Sequence, residues 1–343
     1  MKVLVTGGAG MVGSHVAEYY AKRGDEVVVL DNLMRSKLFG FDRESVEYNW
    51  RWLQQYPNVR RVLGDVRVDK DVVSALGDGV DAVIHAAGQP GVPLSVRIPK
   101  EDFSINAYGT LNMLEHTRQI CPDAAFVYCS TNKVYGENVD RITLNELDNR
   151  YTYFRSAGVA EDMPIDQTGH TPYGASKYVG DIYVQEYAKI YGMKTAVFRM
   201  SCIYGTRQFG FEDQGWVAWF IFAMLASGRI NIYGDGKQVR DMLYVDDVVQ
   251  AYDAFIQSDI QAGVWNIGGG MNNTTSLVEF IAFLESELGQ TAELTFCPWR
   301  PSDQKVYITD VAKVSKDLSW SPRIQPHEGY RRLIAWARRH LDE

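Results

Sequence analysis

A tyrosine and a lysine four residues apart form the first pair in this sequence that could perform acid–base chemistry. The stretch Tyr-Gly-Ala-Ser-Lys runs from Tyr173 to Lys177 and precedes an apolar helical pattern. Positions i and i+4 of a helix share a face, so the two side chains point the same way. Because a nearby ammonium favours the phenolate, we expect a lowered pKa for Tyr173 and a general base for a substrate hydroxyl. Such pairs are common by chance, so the assignment depends on the motifs around it.

Two hydroxyl side chains follow a predicted strand over residues 125–129. Ser130 and Thr131 stand where that strand ends, and open α/β sheets bind their ligands at the carboxyl ends of strands. A hydroxyl there could hydrogen-bond the oxygen that Tyr173 deprotonates. The alternative is that either residue caps a loop or a helix, which is a frequent role for serine and threonine.

Three glycines, Gly7, Gly10 and Gly13, lie between a predicted strand and a predicted helix. Glycines here allow a tight turn and close approach of the backbone to a pyrophosphate, which the helix N-terminus attracts. Asp31 ends the second predicted strand, where a carboxylate would hold the ribose 2′-hydroxyl of NAD and repel a 2′-phosphate. We therefore predict NAD, while Arg35 is near enough in sequence to keep NADP open as an alternative.

Strands and helices alternate over the first 200 residues. Six apolar runs are predicted as strands, at residues 2–6, 26–30, 59–63, 82–85, 125–129 and 195–198. Helical patterns lie between most of them, which predicts an α/β fold with a doubly wound parallel sheet of the Rossmann type. The polar stretch from Glu137 to Pro172 is long for a loop and is predicted to be a functional lid or binding segment.

The composition excludes several classes of protein. With a net charge of −8 over 343 residues, the chain lacks the basic surface of a sequence-independent nucleic-acid binder. Its four cysteines show neither C-x-x-C spacing nor zinc-ligand spacing with a histidine, so we expect no metal site and reduced thiols in a cytoplasmic protein. The first residues do not read as a signal peptide, and the longest apolar run, from Trp216 to Ala226, is too short to span a bilayer.

Taken together, these motifs resemble the extended short-chain dehydrogenase/reductase family, which includes NAD-dependent nucleotide-sugar epimerases and dehydratases. The resemblance covers nearly the whole chain, and the matching residues fall in the family's order: Thr6 to Gly13, His85 to Ala87, Asn106, Thr131, Val134 to Gly136, Tyr173, Lys177 and Arg199. It implies NAD as the cofactor, a nucleotide sugar as the substrate, and a homodimer or homotetramer. We assign residues 1–200 and 234–262 to an NAD-binding Rossmann domain, and residues 201–233 and 263–343 to a smaller α/β domain that binds the sugar nucleotide.

The resemblance also implies roles for individual residues. Tyr173 would be the base, Lys177 would bind the nicotinamide ribose and tune Tyr173, and Thr131 would orient the sugar hydroxyl. The implied NAD contacts are Gly7, Gly10, Met11, Val12, Gly13, Asp31, Asn32, Asp65, Val66, Ala86, Ala87, Gly88, Asn106, Ser130, Tyr173, Lys177 and Arg199. The implied substrate contacts are Gln89, Thr131, Asn132, Cys202, Arg207, Gln208, Arg240, Arg300 and Asp303.

Among these residues, Arg240 and Arg300 would grip the diphosphate, because a guanidinium fork suits phosphate oxygens. Asp303 would hold the nucleotide ribose. Taken singly, either arginine could instead form a surface ion pair. Asp65 would bind the adenine amino group, and a solvated loop aspartate is the alternative for it.

Within the family, four segments and the long insert before Tyr173 are similar to the branch that inverts C2 of a CDP-linked hexose. The segments are Ser130 to Gly136, Arg207 to Phe209, Asp213 to Trp216 and Gly236 to Asp241. The implied mechanism is transient oxidation by NAD: Tyr173 takes the hydroxyl proton, a keto-sugar forms and rotates, and the hydride returns to its other face.

Two departures from the family's patterns narrow the reaction. Galactose-type 4-epimerases carry an asparagine where this chain has Cys202, so that substrate contact is altered or absent. Dehydratases carry Asp-Glu where this chain has Asn132 and Lys133, and neither residue can supply their carboxylate acid–base pair. The alternatives that stay open are a UDP-hexose 4-epimerase, a net dehydrogenase and a catalytically silent NAD-binding protein.

Overall fold

Strands and helices account for most of the chain in the computed structural model, which describes residues 1–40, 43–212, 214–300 and 303–342. The strands are β1 (Lys2–Thr6), β2 (Glu26–Asp31), β3 (Val59–Leu63), β4 (Ala82–His85), β5 (Ala125–Thr131), β6 (Leu144–Glu146), β7 (Tyr151–Tyr153), β8 (Thr195–Met200), β9 (Cys202–Tyr204), β10 (Arg229–Tyr233), β11 (Val239–Tyr244), β12 (Ala262–Ile267), β13 (Thr274–Ser276), β14 (Glu293–Cys297) and β15 (Val306–Tyr307).

The helices alternate with these strands over the first half of the chain. They are α1 (Met11–Arg23), α2 (Arg35–Phe39), α3 (Arg43–Trp52), α4 (Asp69–Leu76), α5 (Val92–Arg97), α6 (Pro99–Phe103), α7 (Gly109–Ile120), α8 (Thr171–Tyr191), α9 (Trp216–Ala226), α10 (Val245–Gln257), α11 (Leu277–Leu288), α12 (Ala312–Leu318) and α13 (Pro326–Asp342). Short 3₁₀ segments cover Leu53–Gln55, Asn132–Arg141 and Met271–Asn273, and a π-helical turn covers Ser104–Tyr108.

A seven-stranded parallel sheet is the centre of the fold. Its strand order is β3-β2-β1-β4-β5-β8-β12, and every pairing within it is parallel. Chain order reverses between β1 and β4, where Thr6 lies opposite His85. Loops leave such a switch point in opposite directions and open a crevice for ligands. The predicted doubly wound sheet is confirmed.

The sheet is buried on both faces, as its continuous apolar strands require. Helices α1, α10 and α12 cover one face, where Val3, Val5 and Trp265 are buried. Helices α4, α7 and α8 cover the other face. A second apolar cluster lies among α9, α11 and α13, next to the small parallel pair of β10 and β14. Over the described ranges, no helix is both long and apolar enough to cross a membrane.

Strand β12 does not follow the predicted division of the chain. It pairs in parallel with β8 from Ala262 to Ile267, so residues 263–267 complete the large sheet although the sequence assigned them to the smaller domain. Strand β11 departs in the other direction, because it pairs with β9, β13 and β15 outside the large sheet. The division into two domains otherwise stays a prediction.

The long polar segment before α8 is a folded insert and not an irregular loop. Strands β6 and β7 form an antiparallel hairpin within it, and Tyr151 and Tyr153 of β7 are buried. The Tyr153 hydroxyl donates to the carbonyl of Val306 at 3.0 Å, which ties the hairpin to β15. Its polar sequence conceals these contacts because β7 has only three residues, and the half-buried Thr152 separates the two buried tyrosines.

We predict that Gly13→Ala destabilises the turn that joins β1 to α1. A Cβ on Gly13 would overlap the carbonyl oxygen of Gly7, so the helix would have to move away from the turn. We expect the free energy of unfolding to fall by about 2–3 kcal/mol and NAD affinity to fall with it, measured by chemical denaturation and by fluorescence titration.

Gly192→Ala is the matched control for that change. Gly192 ends α8 with φ 70°, and a Cβ there meets open space. It should lose only about 1 kcal/mol from the left-handed backbone and bind NAD normally. Equal behaviour of the two variants would contradict the packing role of Gly13.

Candidate functional site

The catalytic pair of the sequence analysis lies near the start of α8. The backbone N–H of Tyr173 donates to the Ser95 hydroxyl at 3.1 Å, which fixes the first turn of the helix. Burial raises the pKa of Tyr173 to about 12, and the Thr131 hydroxyl, at the end of β5, offsets this only in part. The structure thus brings Thr131 and Tyr173 together, as the sequence predicted.

The prediction that Lys177 lowers the pKa of Tyr173 is wrong when only the groups of the protein act on the phenol. The Lys177 ammonium lies over the ring of Tyr128, 4.3 Å from its centroid. It also lies beside Gly88, where an added Cβ would be 3.8 Å from Lys177 Nζ. Burial of the phenol dominates, and the carboxylate of Asp102 adds to the rise in pKa. Burial also lowers the pKa of Lys177, to about 8.

A buried carboxylate, Asp102, holds the loops around this pair. It accepts hydrogen bonds from Gln89 Nε2 at 2.8 Å, Asn106 Nδ2 at 3.1 Å and Ser176 Oγ at 2.5 Å. The sequence analysis missed this role, since an aspartate in a short helix is ordinarily exposed. Asp102 is fully buried, and the three donors satisfy its charge.

Gln89 therefore does not reach a sugar as predicted. Its side chain is fully buried, donates to Asp102 and to the carbonyl of Gly91, and accepts from the Gly91 N–H. These bonds use both ends of the amide. Asn106 likewise shapes the loop, because its Oδ1 accepts from the Gln89 N–H at 2.8 Å.

The glycine turn has the features that a pyrophosphate requires. Helix α1 begins at Met11 with Gly10 as its N-cap, no side chain caps it, and its first turn carries no acidic residue. Its first N–H groups thus meet no competing anion, which suits a phosphate. The turn adjoins the loop after β4, since a Cβ on Gly7 would lie 2.6 Å from the N of Ala87. The glycine turn, which leads into Met11 and Val12 of α1, and the loop of Ala86, Ala87 and Gly88 therefore lie against each other at the switch point.

Asp31 lies at the edge of this turn, where it accepts from the N–H groups of Ala9 at 2.9 Å and Leu33 at 2.8 Å. Arg35 donates to the carbonyl of Phe209 at 2.6 Å and to Gln214 at 3.2 Å. These bonds direct the Arg35 guanidinium to the segment after β9, which favours NAD over a cofactor with a 2′-phosphate.

Beside it, the predicted contacts Asn32 and Asp65 hydrogen-bond each other at 2.9 Å. Asp65 also pairs with Arg67 at 2.7 Å, a residue that the sequence analysis missed. Val66, the next residue, is buried. The structure thus brings Asn32, Asp65 and Val66 to the same edge of the sheet as Asp31.

Two predicted cofactor contacts have structural roles instead. Arg199 forms a bidentate ion pair with Asp181, at 2.9 and 3.0 Å, and the two side chains are only 5% and 0% exposed. Ser130 donates to the same carboxylate at 2.8 Å. The pair joins β8 to α8, so the side chains of these residues support the helix.

A cavity of about 280 Å³ opens beside the start of α8. Its lining combines cations, carboxylates and aromatic rings, including Lys133, Trp216, Tyr233, Arg240, Arg300 and Asp303. It also reaches Thr171, two residues before Tyr173. The structure thus assembles Arg240, Arg300 and Asp303 at one cavity, as predicted, although Arg240 lies on β11, far from the other two in sequence.

Charge pairing and ring contacts fix these three side chains. Arg240 pairs with Asp303 at 2.7 Å. Arg300 lies over the ring of Tyr233, 3.8 Å from its centroid, and donates to the carbonyl of Glu212 at 3.0 Å. The aromatic members of the lining were missed because apolar rings in a helix or strand predict core packing before they predict a ligand surface.

Arg207 and Gln208 lie outside this cavity, contrary to the prediction. Arg207 pairs with Glu18 of α1 at 2.7 Å, and both side chains are largely buried. Gln208 donates to the carbonyl of Ile203 at 3.3 Å. They anchor the segment after β9 against α1.

The last two predicted substrate contacts lie closer to the site. Asn132 is buried and accepts from the Thr131 hydroxyl at 3.3 Å. Burial raises the pKa of the Cys202 thiol to about 12, so Cys202 is a neutral thiol and offers only weak hydrogen bonds where galactose-type 4-epimerases have an amide.

Comparison with known proteins agrees with this architecture. The model of the NAD dependent epimerase/dehydratase family matches residues 3–268. The CDP-paratose 2-epimerase of Salmonella typhi is 38% identical over 98% of this chain and 99% of its own length.

Two solved structures extend the likeness to the whole fold. The UDP-glucose 4-epimerase of Thermotoga maritima with UDP-glucose superposes with a TM-score of 0.83 and 29% identity, covering 99% of this chain and 100% of that one. The UDP-glucose 4-epimerase of Thermus thermophilus in complex with NAD gives a TM-score of 0.80 and 30% identity, over 98% and 99% of the two chains. Because the family model spans well over half of the chain and the site retains a glycine turn, a Tyr–Lys pair and a cavity beside them, this protein is an enzyme of the NAD-dependent epimerase/dehydratase family.

Proposed function

We propose that this enzyme epimerises a nucleotide-activated sugar by transient oxidation, and that the reaction takes place at C2 of a CDP-linked hexose. The observation that carries the proposal is the contact of Tyr173 with Thr131 in the first turn of α8, together with a cavity that Thr171 of the same turn lines with Arg240, Arg300 and Asp303. The first two can act on a sugar hydroxyl, and the other three suit a diphosphate and its ribose. The likeness to the Salmonella typhi CDP-paratose 2-epimerase supports the choice of C2 and of CDP.

Each residue of the site has a defined part in this reaction. Thr131 orients the sugar hydroxyl, and Tyr173 accepts its proton and later returns it. NAD, when bound, supplies reversible hydride exchange with the sugar carbon. Lys177, beside Gly88, holds the nicotinamide ribose. Since burial sets the Tyr173 pKa at about 12, the phenolate needs a further positive charge nearby, which an oxidised nicotinamide provides.

The remaining contacts are proposed from their positions. Gly7, Gly10, Met11, Val12 and Gly13 bind the pyrophosphate through backbone N–H groups. Asp31 binds the adenosine ribose, while Asn32, Asp65 and Val66 surround the adenine. The loop of Ala86, Ala87 and Gly88 contacts the nicotinamide half of the cofactor.

The assembly is proposed to be a homodimer or homotetramer. Helix α8 exposes apolar side chains, with Ile190 65% exposed and Tyr191 49% exposed. Burial of such a face between copies is favourable. All four cysteines are free thiols, which fits the proposed cytoplasmic location.

We predict that Tyr173→Phe loses most turnover while the fold and NAD binding persist. General-base catalysis contributes roughly 10²–10⁴-fold, so kcat should fall by at least the lower figure. Tyr330→Phe is the matched control, because it also removes one buried hydroxyl, bonded to Thr275 at 2.9 Å, far along the chain from the site. Turnover of the Tyr173 variant near that of the control would exclude Tyr173 as the base.

A second experiment tests the reaction itself. Purified enzyme is incubated with CDP-paratose in heavy water, and the product is examined by NMR. We expect inversion at C2 with no deuterium on that carbon, because the same hydride returns. Deuterium at C2 would indicate enolisation and exclude hydride return.

The main competing function is a UDP-hexose 4-epimerase, which the likeness to two UDP-glucose 4-epimerases favours. Inversion at C4 of UDP-glucose, with CDP-paratose left unchanged, would select it. Steady accumulation of NADH would indicate a net dehydrogenase. Absence of turnover on every nucleotide sugar, with NAD still bound, would indicate a catalytically silent protein.

A further inference from the structure

One cation in the cavity has no role in the proposed mechanism. Lys133 lies two residues after Thr131, in the 3₁₀ segment Asn132–Arg141, and lines the cavity. Its ammonium donates to Gln304 Oε1 at 3.0 Å. The other end of that amide donates to the carbonyl of Gly136 at 3.2 Å, so the acceptor that faces Lys133 is fixed in orientation.

The Lys133 ammonium has no counterion among the residues that the structure describes. None of their carboxylates lies within ion-pair distance of its Nζ, whereas Arg240 has Asp303 at 2.7 Å. An ammonium has three donors, and Gln304 takes one. A partly buried cation with free donors is unfavourable unless an anion meets it.

The position of Lys133 indicates which anion this is. Its charge repels that of Arg240, which faces the same cavity from β11. A phosphate between the two would relieve the repulsion and supply oxygens to both. Since Lys133 follows Thr131, which faces the sugar, this would be the phosphate nearer to the sugar.

We propose that Lys133 binds the sugar-side phosphate of the nucleotide sugar, opposite Arg240, and that it makes the enzyme select nucleoside diphosphates over monophosphates. This inference rests on the proposed function. It also gives the reacting carbon a fixed distance from Tyr173, because the phosphate that carries the sugar is held next to the strand that carries Thr131.

The charges around Lys133 add a pH dependence. Burial and Arg240 lower the pKa of Lys133 to about 8, while Asp303, Asp140 and the Cys202 thiol act in the opposite direction. Glu137 also lines the cavity. Above that pH the amine loses its charge, so diphosphate affinity should fall. The terminal phosphate of CDP or CMP has its second ionisation near pH 6, below the pH range in which Lys133 loses its charge.

The test compares CDP with CMP by titration calorimetry of the intact enzyme. At pH 7 we expect CDP to bind about tenfold or more tightly than CMP, as charge-assisted hydrogen bonds to one more phosphate require. Lys133→Met should abolish most of this preference and leave CMP affinity unchanged. Lys133→Arg should keep the preference for CDP over CMP up to about pH 9.5, because a guanidinium stays charged there. The unmodified enzyme should have lost the preference at that pH.

Lys313→Met is the matched control, because Lys313 pairs with Asp317 on the exposed surface of α12. It should keep the preference at pH 7, as the unmodified enzyme does. If Lys133→Met does not fold, the pH profile of CDP and CMP binding to the unmodified enzyme still tests the proposal. A CDP preference that stays constant as the pH rises from neutral through the Lys133 pKa would overturn it.

Other outcomes separate this inference from the proposed function. Equal losses of CDP and CMP affinity in Lys133→Met, or an unchanged preference in a variant that folds, would overturn the inference while epimerase activity could persist. If only UDP and UMP bind, and Lys133→Met removes the preference for UDP, the inference holds and only the choice of CDP fails. If no nucleotide binds, both fail.

Discussion

The buried charge of Asp102 is the constraint on which the catalytic region depends. A carboxylate without solvent is stable only if donors surround it, and here the donors come from three different segments, through Gln89, Asn106 and Ser176. One of them belongs to the loop after β4, one to the π-helical turn and one to α8. The cofactor crevice and the catalytic helix are therefore held to each other by one side chain.

A second buried charge performs the same task one turn further along α8. The pair of Arg199 and Asp181 joins the helix to β8, and Ser130 joins it to β5. Removing one partner from such a pair destabilises a protein by about 3–5 kcal/mol, so substitution at these positions is expected to reduce both stability and activity. Ser130 and Arg199 resemble ligand contacts in sequence because they are polar and lie near the ends of β5 and β8.

The sequence could predict the sheet because its signals are local. The strands over residues 2–6, 59–63 and 82–85 have the predicted bounds, since short apolar runs bounded by glycines and polar residues suffice to identify them. Most of the edge strand β12 was assigned to the smaller domain, whereas it belongs to the large sheet, because its pairing with β8 depends on tertiary structure.

The site was predicted less completely, for a related reason. The motifs single out Tyr173 and Thr131, which contact each other, and Arg240 and Asp303, which form an ion pair. A motif does not show which polar groups bond to other groups within the protein. Gln89, Arg199 and Arg207 bond instead to internal partners, which are Asp102, Asp181 and Glu18. Only the folded chain reveals those partners, and the same holds for the burial that raises the pKa of Tyr173.

The insert between Thr131 and α8 has a closed base, because the N–H of Glu137 donates to the carbonyl of Gly169 at 3.1 Å. Both ends of the insert contribute to the cavity, while its hairpin lies beyond that hydrogen bond. Extending a loop whose ends are already joined adds little entropy cost. The length of the insert can therefore change beyond that hydrogen bond without moving Tyr173 at the start of α8, so natural variation and directed evolution can alter this segment separately from the helix.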